Sequence, residues 1–246
     1  MSSGLGRILG RIRYGLPADD YIEPLLARLV DPVVFELGAR RGEDTVRLVR
    51  YLRAPYQYFA WEPDPRSLPT LRAAASALAG VTIVEAAAGA EDGTAQFHLS
   101  SRADGGTFTD ASSLLRPTPL MQQVVPWIAF DERVTVHVKT IDRFCADQGI
   151  DRIDFIWADV QGAERLVVAG ARRMLPRIAL LFLEHSADIL YEGQWTFDEM
   201  MSTLGPRWSI VKRFANDVLL CNRDRIDPPR GADWMRCLRG CWRDLR

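Results

Sequence analysis

Two apolar segments, each followed closely by a glutamate, constrain the fold of this chain most. The first is residues 32–35, which lead into a turn of the form E-x-G-x-x-x-G over residues 36–42; the second is residues 58–61, which end on Glu62. Short apolar runs bounded by turn residues predict buried strands, and residues 43–52 predict a helix between them. The carboxyl ends of both strands in a β-α-β unit meet at one edge of the sheet, so we expect Glu62 beside the glycine turn.

This layout is typical of a cradle for a nucleotide-type cofactor. Gly38 and Gly42 lack the Cβ atom that would block a close approach of a ligand to the backbone. The helix that follows begins with N–H groups that have no partner inside the helix, and these attract anionic groups. A carboxylate at Glu62 can accept hydrogen bonds from both hydroxyls of a ribose, as the equivalent acid does in dinucleotide folds.

The glycine pattern distinguishes between cofactors. A dinucleotide site requires G-x-G-x-x-G, and Leu37 and Ala39 break that pattern. Glu36 would repel a pyrophosphate but suits an ammonium group, directly or through water. A cofactor with adenosine at one end and an amino acid at the other meets both requirements, which indicates S-adenosylmethionine. An ordinary strand-to-helix turn with two glycines is the structural alternative.

Bulk properties favour one enzyme-sized domain and exclude several other classes. The chain has 246 residues, 48% of them hydrophobic, and a net charge of −1, so it can bury a core and has no basic field for nucleic acid. Its four cysteines show no C-x-x-C pair and predict free thiols in the cytoplasm rather than a zinc site. No apolar run is long enough for a membrane span or a signal peptide.

Strand and helix patterns alternate along the chain and end in an antiparallel hairpin near residues 208–221. This order predicts an α/β fold with a doubly wound sheet and one antiparallel edge. Residues 1–30 are interpreted as a helical extension and residues 31–224 as the cofactor-binding domain. Residues 225–246 are interpreted as an amphipathic tail that packs on its own domain, a partner subunit or a membrane surface.

Two further segments interrupt the regular alternation. The pair Asp92-Gly93 predicts a hairpin turn from a strand at residues 81–85 into a strand at residues 94–99. Residues 100–131 are rich in Ser, Gly, Thr and Pro and are too long for a plain connection, which favours a substrate loop or lid. A flexible surface insertion would have the same composition.

Ligands of such sheets bind at the carboxyl ends of the strands, so the residues that end successive strands should form the site. Those residues are Glu36, Glu62, Glu85, Asp159, and Glu184 with His185. Acids also cap the helices that follow strands, and this is the alternative interpretation for Glu85 in particular.

Ordered motifs lie at residues 34–42, 61–63, 87–94, 112–114, 138–142 and 159–164, with Gly170. In the order and spacing of these motifs, from about residue 31 to residue 190, the chain resembles the FkbM-type S-adenosylmethionine-dependent methyltransferases. The resemblance implies a seven-stranded class I methyltransferase (Rossmann-like) fold. It also implies O-methylation of a sugar or natural-product hydroxyl.

The resemblance also implies a set of cofactor-binding residues. Those expected around the methionine half of S-adenosylmethionine are Glu36, Gly38, Ala39 and Gly42, with Thr45 holding its carboxylate. Those expected at the ribose and adenine are Glu62, Pro63 and Ala87. Asp159 would face the methionine end and the incoming acceptor.

Three positions depart from the family pattern: Arg40 replaces an Asn, Trp157 stands where Lys is common, and Gln161 replaces a Glu. Gln161 can only form hydrogen bonds, so no metal site is expected there. His185 is the preferred general base because it ends a strand at the active edge and histidine titrates in the working pH range. Asp159 is the second candidate, and a structural histidine is the alternative interpretation of His185.

The sequence thus predicts an O-methyltransferase for a small-molecule or glycan hydroxyl, with a homo-oligomer possible and neither a nucleic acid nor an integral membrane span involved. A nicotinamide-dependent oxidoreductase is the alternative enzyme class, although the broken glycine pattern disfavours it. A non-catalytic S-adenosylmethionine-binding scaffold is the third interpretation, which the residues Arg40 and Gln161 keep open.

Overall fold

The computed structural model describes residues 18–226. The expectations for residues 1–17 and for the tail at residues 227–246 lie outside the described residues. A seven-stranded sheet is formed by β1 (Val33–Leu37), β2 (Gln57–Trp61), β3 (Val81–Val84), β7 (Ile153–Ala158), β8 (Ile178–Glu184), β9 (Trp208–Arg213) and β10 (Asp217–Asn222). A smaller three-stranded sheet is formed by β4 (Ala87–Ala88), β5 (Gly93–Arg102) and β6 (Ile128–Lys139).

The helices are α1 (Asp19–Leu26), α2 (Glu43–Val49), α3 (Leu68–Ala75), α4 (Pro119–Val124), α5 (Ile141–Gln148), α6 (Glu164–Ala169) and α7 (Phe197–Leu204), with a 3₁₀ turn at Leu175–Arg177. Within residues 18–226, no helix is both long enough and apolar enough to cross a membrane.

The strand order in the large sheet is β3-β2-β1-β7-β8-β10-β9. Neighbouring strands from β3 to β8 run parallel, whereas β10 is antiparallel to both β8 and β9. The doubly wound sheet with an antiparallel C-terminal hairpin is therefore confirmed. The chain order reverses between β1 and β7, which makes their carboxyl ends the expected place for a ligand.

Side-chain alternation along the central strands builds a core on each face of the sheet. Phe35 lies in one cluster with the helices α5, α6 and α7, and its neighbour Val34 lies in the other with α1, α2 and α3. All five residues of β1 are buried, as expected for a parallel strand covered on both sides.

The predicted hairpin at Asp92-Gly93 is wrong. β3 is an edge strand of the large sheet, whereas β4 pairs parallel with β6 and β5 pairs antiparallel with β6. The Asp92 carboxylate instead accepts hydrogen bonds from the backbone N–H of Thr140, at 2.8 Å, and from its hydroxyl. Thr140 in turn caps the N-terminus of α5 by accepting from the Arg143 N–H. The turn therefore fixes the start of a helix instead of joining two paired strands.

The segment at residues 100–131 has secondary structure of its own. It contains the end of β5, all of α4 and the beginning of β6. Met121, Val125 and Ile128 form a hydrophobic cluster with Ala111 and with Tyr191, which follows β8 in the chain. This packing disfavours the flexible surface insertion, because the segment buries apolar side chains against the rest of the domain.

Candidate active site

A cavity lies at the carboxyl ends of β1, β2 and β7. Its walls are the glycine turn at residues 38–40, the end of β2 at residues 61–63, the small sheet at residues 86–88, the segment at residues 109–114 and the loop at residues 159–163. The switch point of the sheet and the long segment thus meet at one concave site.

Glu62 lies in the cavity wall as a rigid, buried hydrogen-bond acceptor. Its side chain is buried, and its two carboxylate oxygens accept the backbone N–H groups of Arg40 at 2.6 Å and of Asp64 at 2.7 Å. A carboxylate has about four lone-pair sites, so each oxygen retains acceptor capacity. Burial raises the pKa of Glu62 to about 7, partly opposed by those backbone bonds. This geometry fits two neighbouring hydroxyls such as those of a ribose.

Gly38 brings the glycine turn against the loop that follows β7. Its φ is +89°, and a Cβ atom there would lie 2.1 Å from the carbonyl oxygen of Asp159. Only glycine permits both this left-handed backbone conformation and the close approach to the Asp159 carbonyl oxygen. Gly38 and Asp159 line the same cavity from neighbouring strands.

Glu36 lies behind the cavity and is not among its lining residues. It is fully buried within β1 and accepts hydrogen bonds from the hydroxyls of Thr45, at 2.5 Å, and Tyr58, at 2.8 Å. Its other oxygen, Oε1, has no hydrogen-bond partner among the described residues. Burial, more than the nearby Asp44, raises the pKa of Glu36 to about 8.

The remaining residues predicted at the methionine half support the turn from behind. Thr45 points its hydroxyl to Glu36, and Ala39 is buried in the core beside α2 and α3. Gly42 begins α2 with a φ of +91°, and a Cβ atom there would lie 3.0 Å from the Ala74 side chain. The left-handed backbone and this tight contact between α2 and α3 both favour glycine at position 42. Pro63 and Ala87, predicted at the adenine, do line the cavity.

Arg40 connects the glycine turn to the long segment. Its backbone adopts a left-handed conformation with a φ of +50°, and its guanidinium forms a 2.8 Å ion pair with Asp110. Both side chains line the cavity. The arginine that departs from the family pattern therefore faces the segment of residues 100–131.

Asp159, Gln161 and Glu184 form one hydrogen-bonded cluster beside the cavity. The side-chain nitrogen of Gln161 donates to Asp159 Oδ1 at 2.5 Å and to Glu184 Oε2 at 3.0 Å. Asp159 and Gln161 line the cavity, while Glu184 is not among the lining residues. Glu85, the other strand-end acid, is not among the lining residues and forms an ion pair with Arg72 of the preceding helix α3 at the surface. The element after it is the strand β4, so Glu85 does not cap a following helix either.

His185, the preferred base, is not among the residues that line the cavity. Its Nε2 accepts a 3.4 Å hydrogen bond from Arg213, and its ring packs against Phe197 with the centroids 5.0 Å apart. Burial and the Arg213 guanidinium lower the pKa of His185. These contacts match the structural interpretation of this histidine.

A network of hydroxyls that the sequence interpretation did not assign holds the long segment over the cavity. Ser112 Oγ accepts from the Ser100 N–H at 2.9 Å, Ser113 donates to the Gln161 carbonyl at 2.8 Å, and Tyr191 donates to the Ala111 carbonyl at 2.7 Å. The pair Ser112-Ser113 belongs to the sequence motifs noted above; the bond between Ser112 and Ser100 lies within the long segment itself, whereas the partner of Ser113 is Gln161 in a distant loop. Phe97 and Leu114, two apolar lining residues, were likewise not anticipated.

Comparisons with known proteins agree with this architecture. The sequence matches the Methyltransferase FkbM domain over residues 36–214. It is 33% identical over 196 residues to the 2-O-methyltransferase NoeI of Sinorhizobium fredii (strain NBRC 101917 / NGR234), which covers 78% of this chain and 80% of that protein.

Solved structures with a similar arrangement include methyltransferases of low sequence identity. The O-methyltransferase from Bacillus cereus in complex with SAH aligns with a TM-score of 0.48 and 11% identity, over 89% of this chain and 86% of that one. The precorrin-6y C5,15-methyltransferase from Geobacter metallireducens GS-15 aligns with a TM-score of 0.40 and 17% identity, over 85% and 88%.

The family match covers most of the chain and includes every strand of the large sheet except part of β1 and the final strand β10. The NoeI relative extends the similarity over more than three quarters of the chain. The protein therefore belongs to the FkbM methyltransferase family and is an S-adenosylmethionine-dependent methyltransferase.

Proposed function

We propose that this enzyme methylates a hydroxyl group of a sugar or of a sugar-containing metabolite. The observation that carries the proposal is its similarity to a 2-O-methyltransferase over most of both chains. The polar groups of the cavity wall support it, because the carboxylates of Asp110 and Asp159 and the hydroxyl of Thr109 can all accept hydrogen bonds from an alcohol.

We propose that Glu62 holds the ribose hydroxyls of S-adenosylmethionine and that Pro63 and Ala87 contact its adenine. Gly38 and Asp159 would border the methionine end, with Glu36, Ala39, Gly42 and Thr45 supporting the turn from behind. The buried Glu62 carboxylate with acceptor capacity on both oxygens supports this assignment. When bound, the cofactor supplies an electrophilic methyl group.

The main task of the protein residues is to align the acceptor hydroxyl and to exclude water. A hydroxyl is a weak nucleophile, so a base that accepts its proton would accelerate the transfer. Of the two candidates from the sequence, Asp159 is favoured over His185, because Asp159 lines the cavity and His185 does not. We propose the Asp159 carboxylate as the proton acceptor.

The segment at residues 100–131 is proposed to select the acceptor. Thr109, Asp110, Ser112 and Leu114 from this segment contribute to the cavity wall. Its position next to the glycine turn, held by the Arg40–Asp110 ion pair, supports a role at the acceptor side. Exchange of this segment between relatives would then alter which hydroxyl is methylated.

We propose that the protein is located in the cytoplasm. We also propose that it can assemble as a homo-oligomer. Cys145 is a buried free thiol, which suits a reducing compartment. Cell fractionation and light scattering of the full chain test these two points.

The experiment that tests the function is a methyl-transfer assay with labelled S-adenosylmethionine against a panel of glycosides and nucleotide sugars. We expect at least one acceptor to gain a methyl group on oxygen, located by mass spectrometry and NMR. Asp159→Asn should lower kcat by about 10²- to 10⁴-fold, the usual contribution of general-base catalysis. His185→Gln should leave kcat within a few-fold of the wild type.

Calorimetric titration with S-adenosylhomocysteine separates catalysis from cofactor binding in both variants. Normal turnover by Asp159→Asn would exclude Asp159 as the base. Failure of the wild type to methylate any sugar in the panel would contradict the proposed acceptor class.

A further inference from the structure

We propose that Gln161 is a positioning residue: its side-chain amide holds the carboxylates of Asp159 and Glu184 together and thereby fixes Asp159 at the cavity wall. The inference rests on the proposed function, because the orientation of Asp159 affects catalysis only if this carboxylate accepts the proton of the acceptor hydroxyl. It assigns to Gln161 a role that acts through Asp159 and not on the substrate itself.

The first support is the geometry of the shared amide. Because the two hydrogen bonds from Gln161 Nε2 are 2.5 and 3.0 Å long, Asp159 Oδ1 and Glu184 Oε2 are no more than 5.5 Å apart. Two carboxylates this close repel each other unless a proton, a cation or hydrogen-bond donors lie between them. A glutamine amide has two N–H donors and no charge, so it can serve both carboxylates at once.

The second support is that Gln161 itself is held in place on both sides. Its backbone is left-handed, with a φ of +53°, which residues with a side chain rarely adopt. Its carbonyl accepts the Ser113 hydroxyl at 2.8 Å, and a Cβ atom on the following Gly162 would lie 2.9 Å from the ring of Tyr191. The backbone of the loop is therefore held by the long segment and by Tyr191, and the two hydrogen bonds to Asp159 and Glu184 fix the direction of the amide.

Other charged and titratable groups face the same cluster. The Arg40 guanidinium, from the glycine turn, interacts favourably with Asp159. Glu164, from α6, is buried, and its burial together with the nearby Asp159 raises its pKa to about 8, so it is mostly uncharged near neutral pH. The Tyr191 hydroxyl faces Glu184, Asp159 and Glu164, and its burial and these acids raise its pKa. Tyr191 donates its proton to the Ala111 carbonyl, whereas the Gln161 amide donates to both Asp159 and Glu184.

Two substitutions separate the possible roles of this residue. Gln161→Glu places a third carboxyl group between Asp159 and Glu184, so the cluster must bind a proton or a cation to remain intact. Gln161→Met removes both N–H donors at similar size and adds no charge. Gln96→Glu is the matched control, because it makes the same chemical change at an exposed position on β5.

Three measurements are made on the full chain: the unfolding temperature from about pH 5 to pH 9 with and without Mn²⁺, the calorimetric affinity for S-adenosylhomocysteine, and the kcat with an acceptor found in the panel. We expect Gln161→Glu to lose stability as the pH rises and to regain it with Mn²⁺, unlike the wild type and Gln96→Glu. Both Gln161 variants should lose about 10- to 100-fold in kcat, the effect of a small misplacement of a reacting group, with cofactor affinity within about threefold of normal.

Two outcomes would overturn the inference. A Gln161→Met variant with the kcat of the wild type would show that Asp159 needs no positioning by the amide. A Gln161→Glu variant without a response to pH or to Mn²⁺ would show that the two carboxylates do not share the group at position 161. Failure of the wild type on every acceptor would instead contradict the proposed function, while the unfolding measurements would still test the shared amide.

Discussion

At the scale of single residues, Glu62 combines burial, two backbone hydrogen bonds and a place in the cavity wall. Those backbone bonds orient the carboxylate before any ligand binds, so little conformational entropy would be lost on binding. Its raised pKa, about 7, also means that the charged form dominates only above neutral pH. Binding that uses this charge should therefore strengthen as the pH rises through about 7.

We expect Glu62→Gln to weaken binding of S-adenosylmethionine by about 10- to 100-fold at pH 8. The reason is the loss of hydrogen bonds to a charged acceptor, worth about 1.5–3 kcal/mol. Calorimetric titration measures the effect. Glu85→Gln is the matched control, because Glu85 also follows a strand of the sheet but pairs with Arg72 at the surface. Equal affinities for the wild type and Glu62→Gln would contradict the ribose assignment.

The spacing of residues in the sequence predicts which sheet edge a residue reaches but not always which side of the strand it faces. Glu62 and Asp159 follow their strands directly, and both line the cavity. Glu36 lies within β1, and its side chain turns to Tyr58 and Thr45 inside the core. This outcome depends on the partners that the folded sheet brings beside it, and local sequence does not contain them.

At the scale of elements, the small sheet and α6 pack closely against each other at two glycines. A Cβ atom on Gly170, just after α6, would lie 2.0 Å from the carbonyl oxygen of Gly89, which follows β4. A contact between two backbones cannot be relieved by a change of rotamer, so one of the two elements would have to move. Because the small sheet forms one wall of the cavity, its position depends on this contact.

Gly170→Ala should therefore destabilise the protein by about 3 kcal/mol or more, at the upper end of overpacking effects. Gly149→Ala is the control: Gly149 has a φ of +66° at the end of α5, but nothing lies within 4 Å of the added methyl group. It should cost only about 1–2 kcal/mol, the strain of a left-handed alanine. Urea unfolding of both variants measures the difference, and equal losses would exclude the backbone clash.

The elements of the large sheet could be predicted because each is a short apolar run between turn residues. The small sheet was harder to predict, since β5 pairs with β6 across an intervening segment of more than 20 residues. A turn signal such as Asp92-Gly93 indicates where the chain bends, but not which strand will be the partner. The fold of residues 100–131 depends in the same way on Tyr191, which is distant in sequence.

At the scale of the whole molecule, several carboxyl groups are buried away from compensating charge. Burial raises the pKa of Glu36 and of Glu164 to about 8, above the ordinary value of 4.5. The folded state therefore binds more protons than the unfolded state between about pH 4.5 and pH 8. The stability that these two carboxyl groups contribute is fully present below about pH 4.5 and is lost progressively between about pH 4.5 and pH 8.

Glu36→Gln should reduce this loss, because an amide mimics the protonated carboxyl group and does not ionise. The free energy of unfolding of the variant, relative to that of the wild type, should rise by more than about 1.4 kcal/mol between pH 5 and pH 9. This is the free energy that corresponds to a single unit of pKa shift. Urea unfolding at several pH values measures the difference, with the exposed Glu132→Gln as a control. Parallel stability curves for the wild type and Glu36→Gln would contradict the prediction.

Arg40 links two parts of the molecule that bind different ligands in the proposed reaction. Its backbone N–H holds Glu62, and its guanidinium holds Asp110 in the segment over the cavity. Any ligand that shifts the segment would therefore also disturb the Glu62 carboxylate. By thermodynamic reciprocity, the first substrate changes the affinity for the second by the same factor as the second changes the affinity for the first. The two substrates of this enzyme would thus bind cooperatively through a single arginine, with the sign of the effect set by whether the ion pair is kept or broken.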